Sequence, residues 1–397
     1  MTIGLVKGNS IVSIMEETTE GTFEVAGSVN AYIQPLEDGL SISPSRELVE
    51  RNILDASIGK ATPRMGMKSV EVSIPVEMRA SGTEGGDVDF SVLLEGALGA
   101  KRSITTNNTT KTGNSSTVLQ IEDADIGEFS VGDIVLVKES GEHEARPISA
   151  KSTGAGTATI TFPFALTGGA PANGVVVSKS QMFYTANSGH PAISVAAYWG
   201  NEVRECAVGC KVTSMALENW TPGQLASWTF GLEGMSYDHD DGAAPHTPSY
   251  DSGLPPIVLS ACVWRDGVKI TLNNFSMSLQ NTLGFLTSTC SANGKVSSSV
   301  VQREITGSIN PYKDDTSVDY YDDWTAGTEF SLFATAYTPS STTGEITMGS
   351  VVAIWLPQCI ATEFKVGDVD GILTDEIGFR ATRGSAGTSE ELYIGLI

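Results

Sequence analysis

The sequence predicts a mainly β protein: two tandem β-rich modules, each carrying a helix, with a small β domain inserted into the first. Three observations carry this. Short runs of alternating apolar and polar residues dominate, with 42 glycines among 397 residues. Only one stretch has a clear apolar stripe at helical spacing. Finally, the chain repeats itself. Leu40-Ser41-Ile42-Ser43 recurs as Phe275-Ser276-Met277-Ser278, an offset of 275 − 40 = 235. The same offset carries Leu48 onto Leu283, Gly59-Lys60 onto Gly294-Lys295, Ser73-Ile74 onto Ser308-Ile309 and Asp87 onto Asp322. Isolated matches arise by chance. Several at one ungapped offset, with the alternation in phase, point to a duplicated module.

The repeat divides the chain. Residues 1–22 are polar and poorly patterned and read as a flexible N-terminal arm. Residues 23–100 and 186–235 form the first module, 101–185 an inserted surface β domain, 236–256 a linker, and 257–397 the second module. Within the first module, Val70, Val72, Ile74, Val76 and Met78 lie on one face of a strand at period two. A long connection, Pro44 to Lys68, precedes it, and Leu279 to Val301 is its counterpart. Both exceed an ordinary hairpin loop. Asp87 is the expected helix N-cap, Phe90, Leu93, Leu94, Ala97 and Leu98 form the stripe, and Gly99 ends it. A shorter helix is expected around Tyr320, Tyr321, Asp322, Asp323 and Trp324, stopped by Gly327.

The insert opens with a low-complexity stretch, Thr105 to Thr117, then shows three strand patterns near Val118, Ile134 and Ala158. It has no counterpart in the second copy, so it reads as a peripheral and dispensable domain. After it the offset falls to 149: Cys210 maps to Cys359 and Phe230 to Phe379.

A formal net charge of −23, from 24 basic and 47 acidic residues, argues against binding nucleic acid by phosphate neutralisation. It suits solubility, and equally a surface that must not hold DNA. Five cysteines have no framework spacing and read as buried, reduced thiols. No apolar run suggests a signal peptide or a membrane span, so synthesis in a cytoplasm is expected. Four histidines serve the whole chain. Asp238-His239-Asp240-Asp241-Gly242 lacks the spacing of a calcium loop, and the two Gly-Lys pairs lack that of a P-loop. No constellation supports an active site, a metal or a cofactor.

One module therefore reads as hairpin strand, long loop, strand, helix and second hairpin. Gly209-Cys210-Lys211-Val212 leads through Trp220-Thr221-Pro222-Gly223 to Ala226-Ser227-Trp228-Thr229-Phe230. In order and spacing this resembles the tail tube protein of long-tailed, non-contractile bacteriophages (siphophages), over 31–99, 195–235, 259–336 and 351–397. The resemblance implies that each module is a tail-tube-type β-sandwich flanked by a helix, in a structural virion protein, not an enzyme. It implies trimeric, pseudo-hexameric rings stacked into a tube through which DNA passes at ejection, without specific binding. Implied partners are further copies of the chain, a tape measure protein, a tail terminator and distal tail proteins, with no membrane. A distal tail or baseplate component, or a β-rich adhesin or carbohydrate-binding virion protein, stays open as an alternative; tubes, free rings or monomers under the microscope would separate them.

Two sets of site residues follow from that reading. Mixed charge on the first long loop (Arg46, Glu47, Glu50, Arg51, Asp55, Lys60 and Arg64) suits a polar contact to a neighbouring ring. Polar residues opposite the apolar strand faces, Glu71, Glu77 and Thr306, are candidates to line the channel.

Overall fold

A computed structural model describes residues 5, 7–54, 58–139, 142–154, 156–291, 293–313, 320–339, 346–384 and 390–397. The first module begins with β1 (Ile11–Glu16), β2 (Tyr32–Ile33), β3 (Ser41–Val49), β4 (Arg64–Glu77) and α1 (Ser91–Leu98). After β5 (Gly99–Ile104) comes the insert: β6 (Asn108–Thr109), β7 (Val118–Ile121), β8 (Ile134–Glu139), β9 (Glu142–Pro147), β10 (Ala150–Ser152), β11 (Ala158–Thr161) and β12 (Val176–Val177). The chain returns through β13 (Ser180–Thr185) to β14 (Ile193–Trp199), β15 (Val203–Glu218), β16 (Ser227–Gly234) and β17 (Ser236–Asp241). The second module comprises β18 (Ala261–Arg265), β19 (Val268–Ile270), β20 (Leu272–Thr287), β21 (Lys295–Pro311), α2 (Tyr320–Ala326), β22 (Glu329–Ala336), β23 (Val352–Val369), β24 (Ile372–Ala381) and β25 (Tyr393–Leu396).

The two modules match element by element once β5 to β13 are set aside. In each, a long strand serves two sheets. The first half of β15 pairs with β14 and β17, and its second half with β16. Likewise β23 pairs with β22 and β25, then with β24. Bulges make the change of sheet possible by bending the strand. They recur in register: the ladder slips between Val212 and Ser214 in β15, and between Ala361 and Glu363 in β23, 149 residues on. One difference is a slide of the returning strand. Phe230 faces Ile74, whereas Phe379 faces Gly307, the equivalent of Val72. An even slip keeps every side chain on its original face, so the core survives it.

α1 lies over the first module's core with Leu93, Leu94, Ala97 and Leu98 fully buried. Full burial of each leucine stabilises by about 1.5–3 kcal/mol. Gly96 lets the helix approach β15: a Cβ there would sit 2.9 Å from Val212 Cγ2. Gly99 ends the helix at φ 97°, as the sequence predicts. Asp87 does not cap it. Phe90 occupies the cap position without a side-chain bond, and Asp87 instead pairs with Lys101. α2 sets Tyr321 and Trp324 against Phe364 of β23, at 5.7 and 6.4 Å between ring centres.

Several expected boundaries change. The arm 1–22 contains β1, paired with β14 and β2, because Val12 and Ile14 bury an alternating face that a reading of overall polarity misses. The linker 236–256 begins as β17, which lies along β15. The long connections are largely strand: β3 reaches Val49 and β4 starts at Arg64, while β20 reaches Thr287 and β21 starts at Lys295. Among the cysteines, Cys206, Cys210 and Cys359 are buried, Cys262 is half-buried and Cys290 is exposed; all five are unpaired.

The insert has its own core, including Leu119, Ile121, Phe129, Val135 and Ile160. A second apolar face joins it to the second module. Phe164 packs 5.5 Å from Phe333, 6.3 Å from Trp355 and 6.5 Å from Trp264, and Arg146 stacks on it at 5.0 Å. At its stem, β13 pairs with both β5 and β25, extending the ladder that β25 makes with β23 of the second module. The insert is thus welded to the second module, although it interrupts the first.

Candidate assembly interface

The principal surface is a continuous eight-stranded sheet. Its order is β3-β4-β16-β15-β20-β21-β24-β23. Each module supplies four strands in the same order. They meet where β15 pairs with β20: Ser214 faces Gln280, Met215 Leu279, Ala216 Ser278 and Leu217 Met277. At this junction Leu217 and Met277 are only 3% and 1% exposed. The sheet ends at β3 and β23, the counterparts of β20 and β15. There the residue equivalent to Leu217 is Val366, which is 55% exposed. Pro44, in β3 where β20 has Leu279, has no N–H to offer. Proline is tolerated on an edge strand, where it discourages indiscriminate pairing.

One face of this sheet is apolar and buried, and the other is polar. Val70, Val72, Ile74 and Val76 point inward, so Glu71 and Glu77 share the opposite face of β4. Glu71 is exposed, between Ser43 and Glu233; Glu77 is half-buried opposite Ser227. Thr306, also half-buried, lies between Ser278 and Arg380. Glu218, Glu304, Glu363 and Glu376 are exposed on the same side, with Arg380 paired to Glu304 at 3.4 Å and Lys365 to Glu363 at 2.6 Å. All three lining candidates therefore share one continuous face.

The charged loop candidates separate. Arg46 and Glu47 are on β3 and Arg64 opens β4; Glu50, Arg51 and Lys60 lie in the connection, and Asp55 is outside the described residues. Lys60 and Glu50 approach to 3.6 Å with the lysine side chain 81% exposed. Such an exposed pair contributes little to stability.

The second hairpin, β20–β21, leans over the first module. Asn281 Nδ2 donates to Ala97 O at 2.9 Å and Val212 O at 3.1 Å. Ser298 N and Oγ each donate to Glu20 Oε1 at 2.7 Å. Lys295 Nζ lies 3.4 Å from Glu233 Oε1, and Gly294 sits against Met67 on β4. Sequence reasoning missed this lean, and it missed β23 as an open edge. The 149 offset carried the second signal, since it maps Ser214–Leu217 onto Glu363–Val366.

Among the described residues no cluster of three or more His, Cys, Asp or Glu side chains is disposed to hold a metal. Among curated proteins, none matches this chain. The family model described as phage tail tube protein matches residues 8–385, across both modules and the insert, and the chain belongs to that family.

Proposed function

We propose that three copies close into a ring of six modules, and that stacked rings form the tail tube of a long-tailed, non-contractile phage, the conduit for DNA at ejection. The supporting observation is the β15–β20 junction, which joins two modules by the same edges that β3 and β23 leave open. Copying it between chains pairs Glu363 with Ser45, Phe364 with Pro44, Lys365 with Ser43 and Val366 with Ile42 of the next chain. Closure covers every edge of the sheet.

Geometry favours three chains. Eight strands per chain give 24 per ring. At ~4.8 Å between strands and ~40° tilt, the backbone diameter is roughly 48 Å, against roughly 32 Å for two chains. Only the wider barrel accommodates a DNA duplex once side chains line it. The polar face, with Glu71, Glu77 and Thr306, then faces the channel, where carboxylates repel passing phosphates. The tube's ends would meet a terminator and distal tail proteins, and its bore a tape measure protein, in a virion assembled in the host cytoplasm. The test is electron microscopy of the purified protein with mass measurement of single rings. Three chains per ring is the expected result, and six would overturn the pseudo-hexamer.

A further inference from the structure

We infer that the β3–β4 hairpin leans sideways onto the second module of the adjacent chain in the same ring, seating Gly59-Lys60 beside that chain's Gln302. This rests on the ring reading above. It differs from the expectation that the hairpin bridges to another ring.

The template lies within the chain. β20 starts beside β15, yet its hairpin tip reaches β4, beyond both β15 and β16. Three strand spacings of ~4.8 Å make that a lateral reach of roughly 14 Å along the same sheet. Among the contacts that hold it are Asn281 to Val212 O, Lys295 to Glu233 and Gly294 to Met67.

Most participants have an equivalent at the proposed chain-to-chain contact; the exception is Glu233, whose equivalent by the 149 offset is Thr382, so the ion pair of Lys295 is not repeated there. The 235 offset carries Asn281 back to Arg46, Gly294-Lys295 to Gly59-Lys60, and Met67 forward to Gln302. The 149 offset carries Val212 to Ala361, at the equivalent bulge. Arg46, like Asn281, has side-chain N–H donors for that carbonyl. The exposure differs as the proposal requires. Asn281 is 6% exposed, whereas Arg46 lies on a strand whose described residues are nearly all exposed. Near the first hairpin's tip, Leu54 and Ile58 are fully open to solvent. The receiving side is concave: a cleft of about 420 Å³ is lined by Val301, Gln302, Arg303 and Arg383 of the second module and by His190. Each tip thus rests on the stem of the next hairpin, and the six hairpins make a collar around one ring.

Two cysteine pairs in a Cys290→Ser background separate this inference from its foundation. Ser43→Cys with Lys365→Cys reports the ring edge, and Lys60→Cys with Gln302→Cys reports the collar. Assembled tubes are treated with a short bis-maleimide and run on a denaturing gel. Both pairs are expected to shift the monomer band to covalent species that stop at three chains, because a lateral contact closes on itself. If the collar pair fails to link, or builds species beyond three chains while the edge pair stops at three, the hairpin does not lean sideways and the ring stands. If neither pair links, the ring reading and the collar both fall.

Discussion

Ser276 and Ser308 face each other across β20 and β21 with their hydroxyls 2.8 Å apart, and 235 residues earlier Ser41 faces Ser73 in β3 and β4 in the same register. Side chains this small and polar on directly opposed positions keep the solvent face of both hairpins flat. The hairpins nevertheless have different neighbours. β20 has β15 on its far side, whereas among the described residues no strand pairs with the far side of β3. One register in two environments means that the sequence of β3 suits a partnered strand.

The open edge therefore offers a separation of folding from assembly. Val366 is 55% exposed, so Val366→Asp should change the stability of the isolated chain by no more than about 0.5 kcal/mol. In the ring it would place a carboxylate opposite Ile42 in a buried row, at a cost of several kcal/mol per contact. The expected outcome is a folded monomer with an unchanged melting midpoint that forms no tubes. Normal tubes from this variant would show that β23 is not the closing edge.

Much of this architecture was legible because duplication writes the same alternation twice. Val70 to Val76 and the 235 and 149 offsets located the paired strands, and Gly99 located the end of α1. What escaped depends on long-range partners. β1 reads as a polar arm until Val12 and Ile14 are seen against β14. Asp87 has the chemistry of a cap but is drawn to Lys101. The lateral lean of β20–β21 rests on Glu20 and Glu233, neither of which a local pattern links to Ser298 or Lys295. Period and propensity describe an element; they do not say which element it meets.

The insert supplies a second test. Its Phe164 is 8% exposed among Trp264, Phe333 and Trp355 of the second module. Phe164→Ala should destabilise the protein by about 3–5 kcal/mol through lost burial and a cavity. Replacing 105–179 with a short linker would uncover the same aromatic face, and aggregation is the expected result. A soluble, tube-forming deletion with an unchanged melting midpoint would show that the insert is dispensable.

Asp89 should give the fold a pH signature. It bonds Arg79 at 2.6 Å, and its backbone N–H donates to Asp251 Oδ2 at 2.6 Å, fastening the inter-module linker to the first module. Burial, with Asp251 nearby, outweighs the attraction of Arg79 and raises its pKa from 3.8 to about 6. The folded state thus holds this proton more tightly than the unfolded state. The associated stability is fully present below 3.8 and is lost as pH rises through about 6. Asparagine cannot titrate. Chemical denaturation of wild type and Asp89→Asn at intervals from pH 4 to 7 should show the wild-type advantage shrinking as pH rises; an advantage that grows would refute the assignment.

The polar face makes the sharpest functional prediction. Glu71 and Glu233 are directly opposed on adjacent strands, a like-charge arrangement that costs some stability. On a channel wall, as proposed, that cost would have a reason. Glu71→Lys would relieve the repulsion, so the subunit should fold and assemble at least as well as wild type. It would also move the lining by two charge units per chain, repeated in every ring. Phosphates that glide past carboxylates would then be held, with an affinity that falls steeply as salt rises. Virions carrying this variant should eject DNA more slowly at low salt and recover as salt increases, whereas Lys111→Glu on the insert, where Lys111 makes a half-exposed pair with Glu122, should introduce no such salt response. Ejection from the Glu71→Lys virions that matches wild type at every salt concentration would place this face away from the channel.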